Sequence, residues 1–148
     1  MRWYRRAADQ GHAGGQAGVG HLYREGIGVP RDMVEAARWY QLAAQRRSNG
    51  KPSDSDQSAA RELGRMYRDG AGVKQDPLHA WVWLRRAHLV LHRREPERVT
   101  IQDELAALGS RMTPGQKAEG ERLVEKWLRG EQIAHTVIPR RSALLGRH

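Results

Sequence analysis

Residues 19–44 read VGHLYREGIGVPRDMVEAARWYQLAA, and residues 63–88 read LGRMYRDGAGVKQDPLHAWVWLRRAH. Aligned without a gap, the two stretches carry the same residue at ten of 26 positions. Self-similarity of this kind is typical of proteins built from stacked supersecondary units, in which each unit buries its apolar face against a neighbour. The sequence therefore predicts a repeat protein.

The first half of each unit has the pattern of a helix that ends at a glycine turn. In residues 14–25, Val19, Leu22 and Tyr23 fall on one face at helical spacing. Gly26 and Gly28 follow, and glycine adopts the left-handed conformation after a helix at little cost. A phosphate-binding loop is excluded here, because the two glycines follow a helix instead of a strand and a third glycine is missing.

The second half of each unit is predicted to be a helix with a defined N-cap. Asp32 can cap the helix of the first copy, with Glu35 completing a capping box. In the second copy Asp76 takes the cap position and Pro77 the first helical position, where its missing N–H is not needed.

Tryptophans mark the packing face of these second helices. Trp39 lies between Ala36 and Ala43 at helical spacing, which predicts a large ring packed between small residues. Trp39, Trp83 and Trp127 all lie in apolar stripes, so we interpret them as core residues and not as platforms for nucleic-acid bases. Trp81 lies off this face, and we expect it to be exposed and able to anchor a partner.

Residues 1–13 are predicted to be the second half of a further repeat. RWYRRAA at 2–8 matches RWYQLAA at 38–44. The predicted helix has a Trp3 and Ala7 face with no first helix beside it. We favour a truncated repeat over coverage of this face by another chain, and a bare helix predicts a homo-oligomer formed through this half repeat.

After the repeats the pattern changes to two further helices that we expect to cap the stack. The first has Ile101, Leu105 and Leu108 on one face and a stop at Gly109. The second has Thr113 as N-cap, Pro114 in the first position, Gln116 closing a capping box, and a stripe of Val124, Trp127 and Leu128.

These features divide the chain into three parts. The predicted parts are repeats at 1–92 (a half repeat at 1–13, repeats at 14–45 and 58–92, and an inserted loop at 46–57), capping helices at 93–130 and a loosely ordered basic tail at 131–148.

The amino-acid composition excludes several kinds of functional site. The chain of 148 residues is 39% hydrophobic and has no Phe, which suits a thin elongated stack. Without Cys it can have no disulfide, thiolate metal site or cysteine nucleophile. The net charge of +9 is spread without a block of five like charges, which favours mild attraction of acidic partners over a dedicated nucleic-acid arm. No signal peptide or membrane segment is evident.

The repeat pattern resembles the Sel-one-like repeat (SLR) family, which is related to the tetratricopeptide repeat. The family positions are Gly20, Tyr23, Gly26, Gly28, Val29, Asp32, Ala36, Trp39, Ala43 and Ala44, with Gly64, Tyr67, Gly70, Gly72, Val73, Asp76, Ala80, Trp83 and Ala87 in the second copy. His88, where the family prefers Ala, and the insertion after Arg46 depart from it. The segment 98–128 resembles the helical tail of bacterial members.

The resemblance implies an all-α fold, a right-handed superhelical solenoid of antiparallel helix pairs, and a usual role as an adaptor in protein complexes. It does not specify a ligand.

A line of basic residues is the candidate partner-binding site. Arg61, Arg65 and Arg68 lie at i, i+4 and i+7, and His21 and Arg24 occupy the corresponding place one repeat earlier. Because first helices line the concave surface of tetratricopeptide-like stacks, these residues are predicted to form a basic ridge that binds an acidic peptide. A solvated helix face is the competing interpretation.

Three other functional interpretations have less support in the sequence. His88 and His92 have the i, i+4 spacing of metal ligands, but no third ligand is suggested nearby, so we expect no metal site. Ser48 and Lys51 fit S-x-x-K, but the companion motifs of a β-lactam or cell-wall amide hydrolase do not occur. The sequence pI of about 10.8 leaves an anionic polymer or nucleic acid as an alternative partner. We therefore predict a non-enzymatic interaction module with no catalytic residue and no cofactor.

Overall fold

The computed structural model describes residues 2–45, 54–91 and 95–129, and every regular element in these ranges is an α-helix. The helices are α1 (Arg2–Asp9), α2 (Ala13–Glu25), α3 (Met33–Gln45), α4 (Asp54–Asp69), α5 (Pro77–Val90), α6 (Pro96–Arg111) and α7 (Pro114–Leu128). Helices α2 and α3 form one packed pair, α4 and α5 form the next, and α3 packs on α4 to join them. The predicted all-α solenoid is confirmed. No described helix has both the length and the apolar character that a membrane crossing requires.

Left-handed glycines end the first helix of each pair. Gly26 has a φ of 71° and Gly70 a φ of 70°, and Gly28 and Gly72 both have a φ of 74°. A side chain at any of these positions would be strained, because L-residues with a Cβ rarely adopt positive φ. The predicted helix stops are thus confirmed.

Aspartates cap the second helix of each pair. Oδ1 of Asp76 accepts hydrogen bonds from two first-turn amides at 3.0 and 3.2 Å, and Oδ1 of Asp32 does the same at 3.1 and 3.2 Å. The predicted N-caps are therefore confirmed. The Asp32 amide, which was expected to bind Glu35 in a capping box, instead donates to the Tyr23 carbonyl at 2.9 Å, and the Glu35 carboxylate accepts from Arg38.

The core follows the apolar stripes of the repeats. Trp83, Leu63 and Leu84 are fully buried at the centre of the largest cluster, and Trp39 lies in a second cluster with Ala8 and Val19. Trp39, Trp83 and Trp127 are 7%, 0% and 8% exposed. Their predicted core role is confirmed.

Some predicted boundaries are wrong. Helix α4 begins at Asp54, inside the segment predicted as a loop. Helix α6 continues through Gly109 to Arg111, since glycine lowers the stability of a helix by only about 1 kcal/mol. Leu128 was expected in the buried stripe of α7 but is 54% exposed.

Helix α7 begins at the capping box that the sequence predicts. The Thr113 hydroxyl accepts from the Gln116 amide at 3.1 Å, and the Thr113 amide donates to the Gln116 side-chain oxygen at 2.9 Å. The helix packs on α5, where Leu123, Val124 and Trp127 form a buried cluster with Val82.

Arg86 joins three helices inside this region. Its side chain is 4% exposed, and its guanidinium carbon lies 4.1 Å from the Trp83 ring centroid and 4.5 Å from that of Trp127. Its Nη2 donates to the carbonyl of Ala44, in the last turn of α3, at 2.9 Å. One buried cation thus connects α3, α5 and α7.

Candidate partner-binding surface

The first helices α2, α4 and α6 lie side by side, and ion pairs cross both junctions. Arg24 of α2 pairs with Glu62 of α4, and Arg65 of α4 pairs with Glu104 of α6 at 3.1 Å. The pairs place the predicted arginines on one continuous surface. We call it the charged surface, and its members are His21, Arg24, Glu25, Arg61, Glu62, Arg65, Arg68, Asp69, Glu97 and Glu104.

The α2 half of the charged surface centres on Arg24. Its guanidinium contacts Nδ1 of His21 at 3.2 Å and the Glu25 carboxylate at 2.8 Å, besides Glu62. Glu62 also lies 3.7 Å from Arg65. One partly buried carboxylate therefore holds arginines from two helices.

The α6 half centres on Glu104, whose side chain is 16% exposed. It pairs with Arg65 at 3.1 Å and with Arg68 at 3.5 Å, and Arg68 also binds Asp69 at 2.8 Å. The network therefore runs from His21 on α2 to Glu104 on α6.

Arg61 contributes a second link between α4 and α6. It pairs with Glu97 of α6 and lies 3.6 Å from Glu62. The network therefore brings together five of the six predicted binding residues, and only Trp81 lies elsewhere.

The charge of this surface differs from the prediction. Its four arginines meet five carboxylates, so the surface has no excess of positive charge and is not the expected basic ridge. The sequence pattern showed the arginines, but Glu62 and Glu104 reach them across helix junctions, where helical periodicity gives no information. A signal was present, because Glu62 and Arg65 have the i, i+3 spacing of a helical ion pair.

The local pKa shifts favour the charged forms. Burial alone would lower the pKa of Arg24, but Glu62 raises it above its usual value. The hydrogen bond between Arg68 and Asp69 raises the pKa of the arginine and lowers that of the aspartate. Beneath this surface, burial raises the pKa of Tyr40 to about 12. These groups therefore stay charged, and Tyr40 neutral, at physiological pH.

The pairs on this surface contribute more to orientation than to stability. The side chains of Arg24, Arg65 and Arg68 are 26%, 30% and 34% exposed. Ion pairs that remain in contact with water contribute about 0–1 kcal/mol each. Chemically, the surface offers planar donors that are suited to bidentate contacts with carboxylates.

The expectation that Trp81 is exposed is wrong. Its ring is partly buried between α5 and α7, and a Cβ added to Gly120 would lie 2.9 Å from it. Helix α7 covers this side of α5, and no local sequence pattern specifies where α7 packs.

The histidine pair and the S-x-x-K motif form no site within the described residues. His88 is buried, and burial lowers its pKa, with repulsion from Arg98 and Arg85 adding to the effect. His92 and the Ser48 and Lys51 motif lie outside the described residues. Within residues 2–45, 54–91 and 95–129, no three His, Asp or Glu side chains form a group that could hold a metal ion.

Comparison with known proteins agrees with the helix pairs and the glycine turns. The Sel1 repeat matches residues 1–12, 13–48 and 57–87. The chain belongs to the Sel1 repeat family. Proteins of this family are generally protein-interaction scaffolds and are typically non-enzymatic. A curated relative, a chitin synthase regulator of Malassezia restricta, is 45% identical over 47 residues, which are 32% of this chain and 3% of that protein.

Two solved structures share the fold of this Sel1 repeat chain. A protective antigen present in uropathogenic Escherichia coli strains, which displays an SLR fold, matches with a TM-score of 0.70 and 24% identity over 99% of this chain and 27% of that one. A Sel1 repeat protein from Oxalobacter formigenes matches with a TM-score of 0.61 and 23% identity over 97% of this chain and 58% of that one. The chain therefore spans less than two thirds of the length of each of these relatives.

Proposed function

We propose that this chain is a non-enzymatic adaptor that binds an acidic segment of a protein or peptide on the charged surface of α2, α4 and α6. The observation that carries the proposal is the continuous network of ion pairs across these three helices, in which partly exposed arginines are held by partly buried glutamates. The interaction role typical of the family supports it.

Four of the five carboxylates of this surface fall into two groups by exposure. Glu62 and Glu104 are only 17% and 16% exposed and lie between arginines of neighbouring helices. Glu25 and Asp69 are 46% and 55% exposed, and each follows its arginine in the sequence. The inner pair fixes the guanidinium groups, while the outer pair is open to exchange.

Binding then consists of an exchange of carboxylates. Two acidic side chains of the partner replace Glu25 on Arg24 and Asp69 on Arg68, while the inner glutamates hold both arginines in position. Because the surface has no excess of positive charge, affinity comes from short-range bidentate contacts more than from long-range attraction. A peptide with two carboxylates spaced to reach both arginines is the partner that fits.

Paired substitutions test this exchange. The protein is used as bait in a lysate of its source organism, and the affinity of each captured partner is then measured with purified components. Arg24→Ala with Arg68→Ala should weaken binding by at least about tenfold, the loss expected when charged interface contacts are truncated. Glu25→Gln with Asp69→Asn should strengthen binding, because the competing carboxylates are removed.

Two controls separate this mechanism from general effects of charge. Arg122 of α7 is an exposed arginine paired with Glu119, so Arg122→Ala removes a comparable ion pair outside the charged surface. Equal binding by the Arg24/Arg68 and Arg122 variants would contradict the proposal. A steep loss of affinity with salt for any random oligonucleotide would instead favour a polyanion binder.

A further inference from the structure

The hydroxyl group of Tyr40 lies at the floor of the charged surface. The residue is only 3% exposed, and its ring lies over Gly20 of α2, where an added Cβ would be 3.0 Å from a ring carbon. Arg24, one helical turn after Gly20, is the charged group that influences the tyrosine most strongly. The other charged groups around it also belong to the charged surface, and they are Glu62, Glu25 and Arg61. The polar end of a buried side chain therefore points at the proposed binding site.

This hydroxyl is a hydrogen-bond donor that the protein itself does not use. In the part of the chain that the structure describes, it makes no hydrogen bond. It is not enclosed either, since it keeps contact with solvent. Burial of the ring raises the pKa of Tyr40 to about 12, so the group stays protonated at physiological pH. A protonated hydroxyl beside Arg24 is thus available to a ligand.

The next repeat shows that packing at this position does not require a hydroxyl. In the alignment of the two copies, Leu84 takes the place of Tyr40, and Gly64 takes that of Gly20. Leu84 is fully buried against Gly64, where an added Cβ would be 2.7 Å from a carbon of the leucine side chain. An apolar side chain therefore serves the packing role, and what the tyrosine adds is a donor beside Arg24.

We propose that Arg24 and the Tyr40 hydroxyl together bind one carboxylate of the partner, and that this is the stronger of the two carboxylate positions on the charged surface. The inference rests on the proposed adaptor function and names the residue that makes its two arginine positions unequal. The incoming carboxylate replaces Glu25 on Arg24, and one of its oxygens accepts a hydrogen bond from Tyr40. The Arg68 position has Leu84 in place of the tyrosine, so it lacks this second donor.

The charges around this position favour a carboxylate over a phosphate. Glu62 stays on Arg24 during the exchange, because its side chain is only 17% exposed and it also lies 3.7 Å from Arg65. A phosphate monoester carries about −1.5 to −2 charges at pH 7, so Glu62 repels it more strongly than it repels a carboxylate of single charge. The guanidinium and the hydroxyl supply donors for the two oxygens of a carboxylate.

Synthetic peptides test the proposal without knowledge of the natural partner. The probes contain two glutamates separated by alanine spacers of increasing length, with versions in which one or both glutamates are glutamine. A further version carries phosphoserine in place of the single remaining glutamate. NMR titration of the full chain measures the dissociation constant of each peptide. The single-glutamate peptide should bind more tightly than both the all-glutamine and the phosphoserine peptides.

Tyr40→Phe removes the hydroxyl and keeps the ring. It should raise the dissociation constant of the glutamate peptides about tenfold, the lower end of what a hydrogen bond to a charged group contributes. The urea midpoint should not change, because the hydroxyl has no partner in the free protein. Tyr67→Phe is the matched control, since Tyr67 is a buried tyrosine beside Asp76, and it should leave the affinity unchanged. The single-glutamate peptide should lose more affinity with Arg24→Ala than with Arg68→Ala.

The results separate this inference from the adaptor function. If Arg24→Ala weakens binding and Tyr40→Phe does not, the hydroxyl is not part of the site, and the inference is overturned while the charged surface stands. Equal weakening by Tyr40→Phe and Tyr67→Phe, or tighter binding of the phosphoserine peptide, would also overturn it. If no glutamate peptide binds the wild type, or if Arg24→Ala and Arg68→Ala have no effect on binding, the adaptor function fails and this inference fails with it.

Discussion

Replacing Arg86 with Met tests whether the buried cation stabilises the junction of α3, α5 and α7. Methionine keeps an unbranched stem of similar length and removes only the guanidinium group. The substitution therefore deletes the hydrogen bond to the Ala44 carbonyl and the stacking on Trp83 and Trp127, while it leaves most of the apolar contacts in place.

The magnitude follows from these contacts. A hydrogen bond to a charged group contributes about 1.5–3 kcal/mol, and two cation–π contacts contribute about 0.5–2 kcal/mol each. Removing a buried cation also removes its desolvation cost, which offsets part of this loss. We expect Arg86→Met to lower the free energy of unfolding by about 2–4 kcal/mol. The stability of Arg86→Lys should lie between that of Arg86→Met and that of the wild type, because a lysine ammonium keeps the charge but cannot stack on the rings as a planar guanidinium does.

Urea unfolding followed by circular dichroism measures this effect. The control is Arg122→Met, which changes an exposed arginine of α7 and should leave the urea midpoint unchanged. An Arg86→Met protein as stable as the wild type would refute the reasoning, because it would mean that the desolvation cost cancels every contact of the guanidinium group.

The repeat turns and the caps give two further predictions. Gly28→Ala should lower the free energy of unfolding by about 1–2 kcal/mol because of the positive φ alone, since an added Cβ meets nothing within 4 Å. Gly72→Ala should lower it by about 1–3 kcal/mol more, because its Cβ would lie 2.2 Å from the Met33 carbonyl oxygen. Urea unfolding measures both losses, and equal losses would contradict this prediction. Burial would raise the pKa of Asp76, but hydrogen bonds from the His79 side chain and first-turn amides hold the pKa below its ordinary value. As the pH falls, the unfolded chain therefore binds more protons than the folded protein does. The stabilisation by ionised Asp76 is complete above about pH 5 and is lost as the pH falls through the folded pKa. Asp76→Asn should flatten the pH dependence of stability between about pH 5 and pH 2, and an unchanged profile would exclude Asp76 as its source.

Local rules predicted much of the fold from the sequence. Gly26 and Asp76 each act on their own turn, through left-handed φ and amide capping, so their positions along the chain were sufficient. Trp39 was predicted to be buried because its neighbours at helical spacing are small. These features depend on residues within one or two turns.

The features that sequence reasoning missed depend on contacts between distant segments. Trp81 and Arg86 are covered by α7, whose place on α5 no local pattern specifies. One signal was available, because residues 81–84 are all apolar, and a helix that is apolar on several sides is buried on several sides. The charge of the charged surface was missed for the same reason, since Glu62 and Glu104 pair with arginines 38 and 39 positions away.

Site-specific photo-cross-linking tests the central claim, that a partner binds on the charged surface, most directly. A photoreactive amino acid is placed at Asp69, beside Arg68, in one variant and at the exposed Leu89 of α5 in another, and each protein is irradiated with its captured partner. The account predicts a cross-link from position 69 that is suppressed by an excess of a peptide with two carboxylates, and none from position 89. Cross-links from position 89 alone, or equally from both positions, would contradict it.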